Sequence, residues 1–187
     1  MSQFTVHTAQ SAPENSRPIL EATQASMGFV PNLFGVFANS PAILEAYTTL
    51  SKIQTQSTDF SETERQVLFL SISATNNCTY CVAAHTAISK MSRVADDVVE
   101  AIREGRPLAD AKLEALRTFA THLVRERGWT SPSALDDFLA AGYDQRHVLE
   151  VILAISFKTL SNFASHVSST TLDEAFQPVA WEGVATV

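Results

Sequence analysis

The sequence predicts an all-α fold, a single-domain multi-helix bundle, and three observations predict it. Apolar residues recur at helical spacing through nearly every segment long enough to show a period. Capping and helix-breaking residues punctuate those segments. No stretch shows the strict apolar and polar alternation of a half-buried strand. With 187 residues, 45% of them hydrophobic, the chain buries one sizeable core and is short for two. Residues 1–187 are therefore read as one domain, with an N-terminal helical segment at 1–57, a core at 58–128 and C-terminal helices at 129–187.

After a polar start, the Gly28 break leads into an apolar helical segment over residues 30–37. Residues 41–53 read as a helix with Ile43, Leu44, Tyr47 and Leu50 on one face. Ser61 followed by Glu64 is a capping-box signature, and Val67, Leu68, Leu70 and Ile72 give the helix it opens a largely buried surface. A helix over 81–91 carries Val82, Ala84 and Ile88, and a short one over 94–102 stops at Gly105-Arg106-Pro107. Residues 110–127 place Leu113, Leu116, Phe119, Ala120, Leu123 and Val124 at amphipathic spacing before Gly128. Ser131-Pro132 opens the next helix, which ends near Gly142, and Asp144 starts the last long one, through residue 167.

Charge narrows the function classes. A net charge of −7 and a pI near 5.1 argue against a nucleic-acid surface. The unbroken apolar runs are far shorter than a membrane span, so no membrane partner is expected. The first ten residues lack a basic segment followed by an apolar one, which points to a cytoplasmic protein. A reducing cytoplasm argues against a structural disulfide.

The only two cysteines, Cys78 and Cys81, form a Cys-Thr-Tyr-Cys pair with His85 four residues on. On a helix these three share one stripe. The attacking species in thiol chemistry is the thiolate, and an ordinary cysteine near pKa ~8.5 is mostly protonated at neutral pH. A helix N-terminus near Cys78, capped by Asn76-Asn77, and His85 as a base are the devices at hand to draw the proton away. A second thiol within reach resolves an oxidised sulfur into a disulfide before it over-oxidises.

The thioredoxin pattern sets such a pair in a βαβ unit, commonly around Gly-Pro; here it encloses Thr79-Tyr80 within helices. A structural zinc site wants four ligands, and the motif offers three, with His166 as a fourth only by tertiary chance. No metal and no cofactor are expected. Tyr80 either donates a hydrogen bond to a bound peroxide or, the blander reading, packs against the core. His166 either faces the site or is a favourable charge near a helix C-terminus. His7, His122 and His147 default to surface or structural roles.

The segment Glu64-Arg65-Gln66-Val67, continuing through Ser73 to Asn77 and into Cys78-Thr79-Tyr80-Cys81-Val82-Ala83-Ala84-His85, resembles the core motif of the alkylhydroperoxidase D family, within the carboxymuconolactone decarboxylase-like superfamily. Gly28-Phe29-Val30-Pro31-Asn32-Leu33-Phe34 and Thr171-Leu172-Asp173-Glu174-Ala175-Phe176 resemble flanking segments of its peroxidase-related branch. The resemblance implies an alkylhydroperoxidase D-type helical fold with a helical oligomer interface, assembled as trimers or hexamers. It implies hydroperoxide reduction, with Cys81 as the peroxidatic thiol, Cys78 as the resolving thiol and His85 in a proton relay. The reductant is then an external dithiol, thioredoxin-like or lipoyl-type.

The family's glutamate, twelve residues before the first cysteine, is Gln66 here. Gln66 orients an imidazole or a water by hydrogen bonding but accepts no proton at neutral pH. Glu64, two positions earlier, is the nearest carboxylate, yet that shift turns a side chain by about 200° around a helix. Glu64 is thus a candidate acid and equally a capping carboxylate. A faint internal echo, in which Glu150 precedes Asn162 by the same twelve residues, makes Glu150 a further candidate. The leading function is a thiol-dependent hydroperoxide reductase. A lactone decarboxylase, needing His85 and a carboxylate but no thiol, and a non-catalytic redox sensor are the alternatives.

Overall fold

The computed structural model describes residues 4–183, which form nine α-helices and one 3-10 helix with no strand among the described residues. Residues 1–3 and 184–187, which the single-domain reading and the reading of the extreme N-terminus include, lie outside the described residues. The helices are α1 (Arg17–Met27), α2 (Asn32–Phe37), α3 (Pro41–Gln56), α4 (Glu62–Thr75), α5 (Thr79–Met91), α6 (Asp96–Arg103), α7 (Ala111–Arg125), α8 (Pro132–Ala140) and α9 (Gln145–Ser168), with the 3-10 helix at Glu174–Val179.

Local chemistry sets most boundaries. Ser61 caps α4 through the anticipated capping box with Glu64, a device worth about 1 kcal/mol. Asp110 accepts from the backbone N–H groups of Lys112 and Leu113 to start α7, and Asp144 makes a second capping box with His147 at the start of α9. Gly28, at φ +84°, ends α1 in the left-handed region that favours glycine.

Two expectations are corrected. The polar start contains α1, which buries only Leu20 and Thr23, a stripe too thin to show as a period. Asn76 and Asn77 do not cap the cysteine helix. Asn76 terminates α4, Asn77 takes φ +53°, and Cys78 itself is the extended N-cap residue of α5.

α4 is the axis of the bundle, with Gln66 through Ser73 all buried between α5, α6, α7 and α9. α9 leans on α2, α3, α4, α5 and α7. At 24 residues, with an 18-residue stretch of mean hydropathy 1.3, it is long and apolar enough, by length and composition, to cross a membrane, which unbroken apolar runs did not suggest. Its buried face carries Glu150, Lys158, Ser161, Asn162 and Ser165, and its partners on that face are the bundle helices. α4, α5 and α9 thereby bring the cysteine pair against polar side chains from distant parts of the chain.

Candidate active site

Cys78 is the N-cap of α5, so Cys81 occupies the third position of the helix and His85 lies one turn further on the same face. Both cysteines are free thiols and buried. They differ in access. Cys81 lines a cavity of about 240 Å³, whereas Cys78, with no exposed surface, sits outside that lining. The walls are largely apolar: Leu33 and Phe34 from α2, Tyr47 from α3, Phe69 from α4, Phe157 from α9 and Phe176 from the 3-10 helix. Tyr47 stacks on Phe157 at 4.7 Å between ring centroids.

A continuous polar chain crosses this apolar shell. Gln66 Nε2 donates to Glu62 Oε1 at 2.9 Å, Gln66 Oε1 meets His85 Nδ1 at 3.0 Å, and His85 Nε2 meets Lys158 Nζ at 2.8 Å. Its proton positions follow from what each group can do. A carboxylate only accepts, so the Gln66 amide nitrogen must face Glu62 and its oxygen must face His85. That oxygen also only accepts, so His85 carries its proton on Nδ1 and leaves the Nε2 lone pair for a Lys158 N–H. Glu62 thus sets the tautomer of an imidazole two links away.

The electrostatics are consistent with this wiring. Burial, followed by the positive charge of Lys158, pushes His85 well below its usual range and keeps it neutral. Burial lowers Lys158, while the two thiols oppose that shift by favouring its ammonium form. Burial alone would raise Cys81. The hydrogen bond from Cys78, the charge of Lys158 and hydrogen bonds from Asn162 and Ser161 outweigh it and bring Cys81 down to about 6. Cys78 moves the other way, first because it gives its hydrogen bond to Cys81 and then because it is desolvated. One thiolate is favoured, on the sulfur that faces the cavity. The rings of Phe157 and Phe69 flank Lys158 Nζ at 5.4 and 5.8 Å and shelter that pair from water.

The structure therefore gathers Cys78, Cys81, His85 and Gln66, and it separates the other candidates. Glu64 is not at the site. Its Oε2 accepts from the Ser61 backbone and hydroxyl, and its Oε1 accepts from Tyr143 and pairs with Lys112, so its role is the cap. Glu150 is also corrected: it accepts from the Asp59 backbone N–H and from Arg146, holding the turn before α4. His166 is exposed beside Phe163, outside the cavity lining. Tyr80 lines the cavity with its ring, but its hydroxyl is committed, donating to Asp173 at 2.6 Å and accepting from the Leu33 N–H at 3.3 Å. It ties the cysteine turn to the start of α2 and to the chain before the 3-10 helix, where Asp173 also accepts from the Asn32 N–H.

Lys158, Glu62 and Asn162 were not singled out for this site from sequence. Among the described residues no group of three or more His, Cys, Asp or Glu is placed to hold a metal ion.

The model of the Carboxymuconolactone decarboxylase family matches residues 41–126, which span α3 to the end of α7. Curated proteins give no significant match. Among solved structures, a peroxidase-related protein with an alkylhydroperoxidase AhpD core from Ralstonia eutropha JMP134 is 21% identical, covers 94% of each chain and superposes with a TM-score of 0.82. A peroxidase-related protein from Silicibacter sp. TM1040 is 19% identical over 98% of this chain and 95% of its own, with a TM-score of 0.79. The debrominase Bmp8, solved as a cysteine-to-alanine variant in complex with 2,3,4-tribromopyrrole, is 15% identical over 95% of each chain, with a TM-score of 0.77. At these identities the likeness establishes the fold, and the all-α expectation holds. The family model thus matches the helices that carry the cysteine motif, and the chain as a whole has the fold of the alkylhydroperoxidase AhpD core proteins.

Proposed function

We propose that this protein is a thiol-dependent hydroperoxide reductase that cycles Cys81 and Cys78. The observation that carries the reading is the asymmetry of the pair: a Cys81 sulfur with depressed pKa at an apolar cavity, backed by a buried Cys78 that stays protonated. The Cys81 thiolate attacks the terminal oxygen of ROOH, and the O–O bond breaks. The sulfur becomes a sulfenic acid, and the departing alkoxide takes a proton from the Lys158 ammonium to leave as ROH. Cys78 then attacks the Cys81 sulfur, water departs, and the disulfide forms. An external dithiol, thioredoxin-like or lipoyl-type, accepts oxidation in turn and restores both thiols, as a reducing cytoplasm allows. His85 holds Lys158 by hydrogen bonding.

The lactone alternative needs a carboxylate against the imidazole, and the amide of Gln66 stands there instead. The aromatic walls give a second reading some support, since a brominated arene of the kind Bmp8 binds would also lie against them; dithiol and aryl bromide would then give arene, bromide and disulfide. Purified protein with excess dithiothreitol is expected to consume many equivalents of cumene hydroperoxide per chain. Absence of turnover alongside bromide release from tribromopyrrole would replace the first reading with the second.

We also propose that a second copy of the chain covers α9. Leu149, Ile152, Phe163 and Val167 are exposed along this helix, beside an apolar groove of about 640 Å³ bounded by Val36, Ile43, Ile155 and Leu160. A stripe that runs alongside its own groove suits a two-fold contact, in which each copy offers the same patch. Phe163→Glu is expected to shift the mass measured by light scattering from oligomer to monomer. A wild type that is already monomeric at micromolar concentration would sink the idea.

A further inference from the structure

Gln54 on α3 is completely buried, and neither its Oε1 nor its Nε2 has a hydrogen-bond partner. It lines the same cavity as Cys81. A carboxamide carries two donors and an acceptor with two lone pairs, and leaving such a group unpaired in the interior is costly. The other principal polar groups of the lining are already engaged. Gln66 is held between Glu62 and His85, His85 between Gln66 and Lys158, and the Tyr80 hydroxyl between Asp173 and Leu33. The cavity that Cys81 lines is thus also lined by a buried carboxamide whose donor and acceptor are both uncommitted.

We propose that Gln54 orients the substrate by gripping the O–O–H head of a compact organic hydroperoxide, its Oε1 accepting from the O–H and its Nε2 donating to the oxygen that bears the carbon. This assignment rests on the hydroperoxide reading above and specifies its substrate class. A hydroperoxide head offers one donor and two acceptor oxygens in a row, which a planar carboxamide matches with a pair of hydrogen bonds. Gripped so, the head is fixed in orientation before the terminal oxygen meets the Cys81 thiolate. The apolar walls supply the surface for the carbon part. A cavity of about 240 Å³ is smaller than the pockets of about 300–1,000 Å³ that enclose drug-sized ligands. It suits a tert-butyl or cumyl substituent.

Gln54→Met keeps the length of the side chain and removes both hydrogen-bonding functions. Mixed in stopped flow with cumene hydroperoxide, the reduced variant is expected to form the Cys78–Cys81 disulfide about 10-fold or more slowly than wild type, a loss in keeping with two neutral hydrogen bonds. Alkylation of Cys81 by iodoacetamide is expected to keep its rate and pH profile, because Gln54 acts on the substrate and not on the thiol. Tm is expected to rise by roughly 2–4 °C, since an unpaired buried amide has been removed. Gln54→Leu provides the same readouts should the methionine variant fail to fold. Equal oxidation rates in wild type and variant overturn the assignment and leave the hydroperoxide reading standing. A slowed oxidation matched by slowed alkylation also overturns it, by moving the effect to Cys81. A wild type whose cysteines resist cumene hydroperoxide altogether overturns both.

Discussion

Cys81→Ser is expected to reduce hydroperoxide consumption to the rate of free dithiothreitol, whereas Cys78→Ser, assayed without dithiol, is expected to consume one equivalent per chain rapidly and a second only slowly. The difference follows from where each sulfur lies. Cys81 faces the cavity and is the thiol whose anion the surroundings favour, while Cys78 is sealed behind it and held protonated. A serine hydroxyl has no accessible anion at neutral pH, so Cys81→Ser removes the nucleophile. Cys78→Ser leaves the first attack intact and removes only the resolving thiol, so the Cys81 sulfenic acid accumulates and, with more peroxide, climbs to the sulfinic acid. Mass spectrometry of the intact chain reads the outcome as one added oxygen, then two. One-equivalent consumption by Cys81→Ser and none by Cys78→Ser would reverse the roles.

The fold was legible because its helix ends are written in local chemistry. Ser61 with Glu64, Asp110, Asp144 and Gly28 each act on the backbone within a few residues. The cysteine stripe was legible for the same reason, since positions 78, 81 and 85 lie on one α5 face whatever that face packs against. Local chemistry also misled: a carboxylate near Gln66 invites a catalytic role, and Glu64 is spent on the cap. The rotation that turns Glu64 away from the face of Gln66 should have pointed to Glu62, because a step of four residues brings a side chain back to within about 40°. Lys158 left a signal as well, being the only Lys, Arg, Asp or Glu between Glu150 and Asp173. A lone charge inside an apolar helix needs a buried partner, but no local rule says that the partner is a thiol on another helix. Gln54 left none, because a glutamine near a helix C-terminus reads as solvated until the packing of α3 on α9 encloses it.

Lys158→Met is expected to uncouple the thiol from its counter-charge, and pH separates its two roles. With Cys81 near 6, the wild-type sulfur is roughly nine-tenths thiolate at pH 7. Without the ammonium the burial effect prevails, and a pKa at or above the ordinary ~8.5 leaves only a few per cent. Iodoacetamide alkylation at pH 7 is therefore expected to slow about 30-fold, with its midpoint displaced upward by two units or more. The sign of the stability effect is fixed by the same shift. A folded-state pKa depressed below the unfolded value contributes stability that is fully present above ~8.5 and is lost as pH falls through about 6. The wild type should thus gain stability between pH 6 and 8.5 from this group, and Lys158→Met should lose that gain. At pH 6 the variant should be no less stable, because methionine fills the space without burying an amine. Above pH 9 the thiolate of the variant reforms, and alkylation is expected to recover. Peroxide reduction should not recover fully, because breaking the O–O bond requires a proton for the departing alkoxide and the alkylation does not. A residual deficit of about 10-fold or more against cumene hydroperoxide at that pH measures Lys158 as general acid. An unshifted alkylation midpoint would remove Lys158 from the account of the thiolate. Full recovery of both reactions would confine it to that one task.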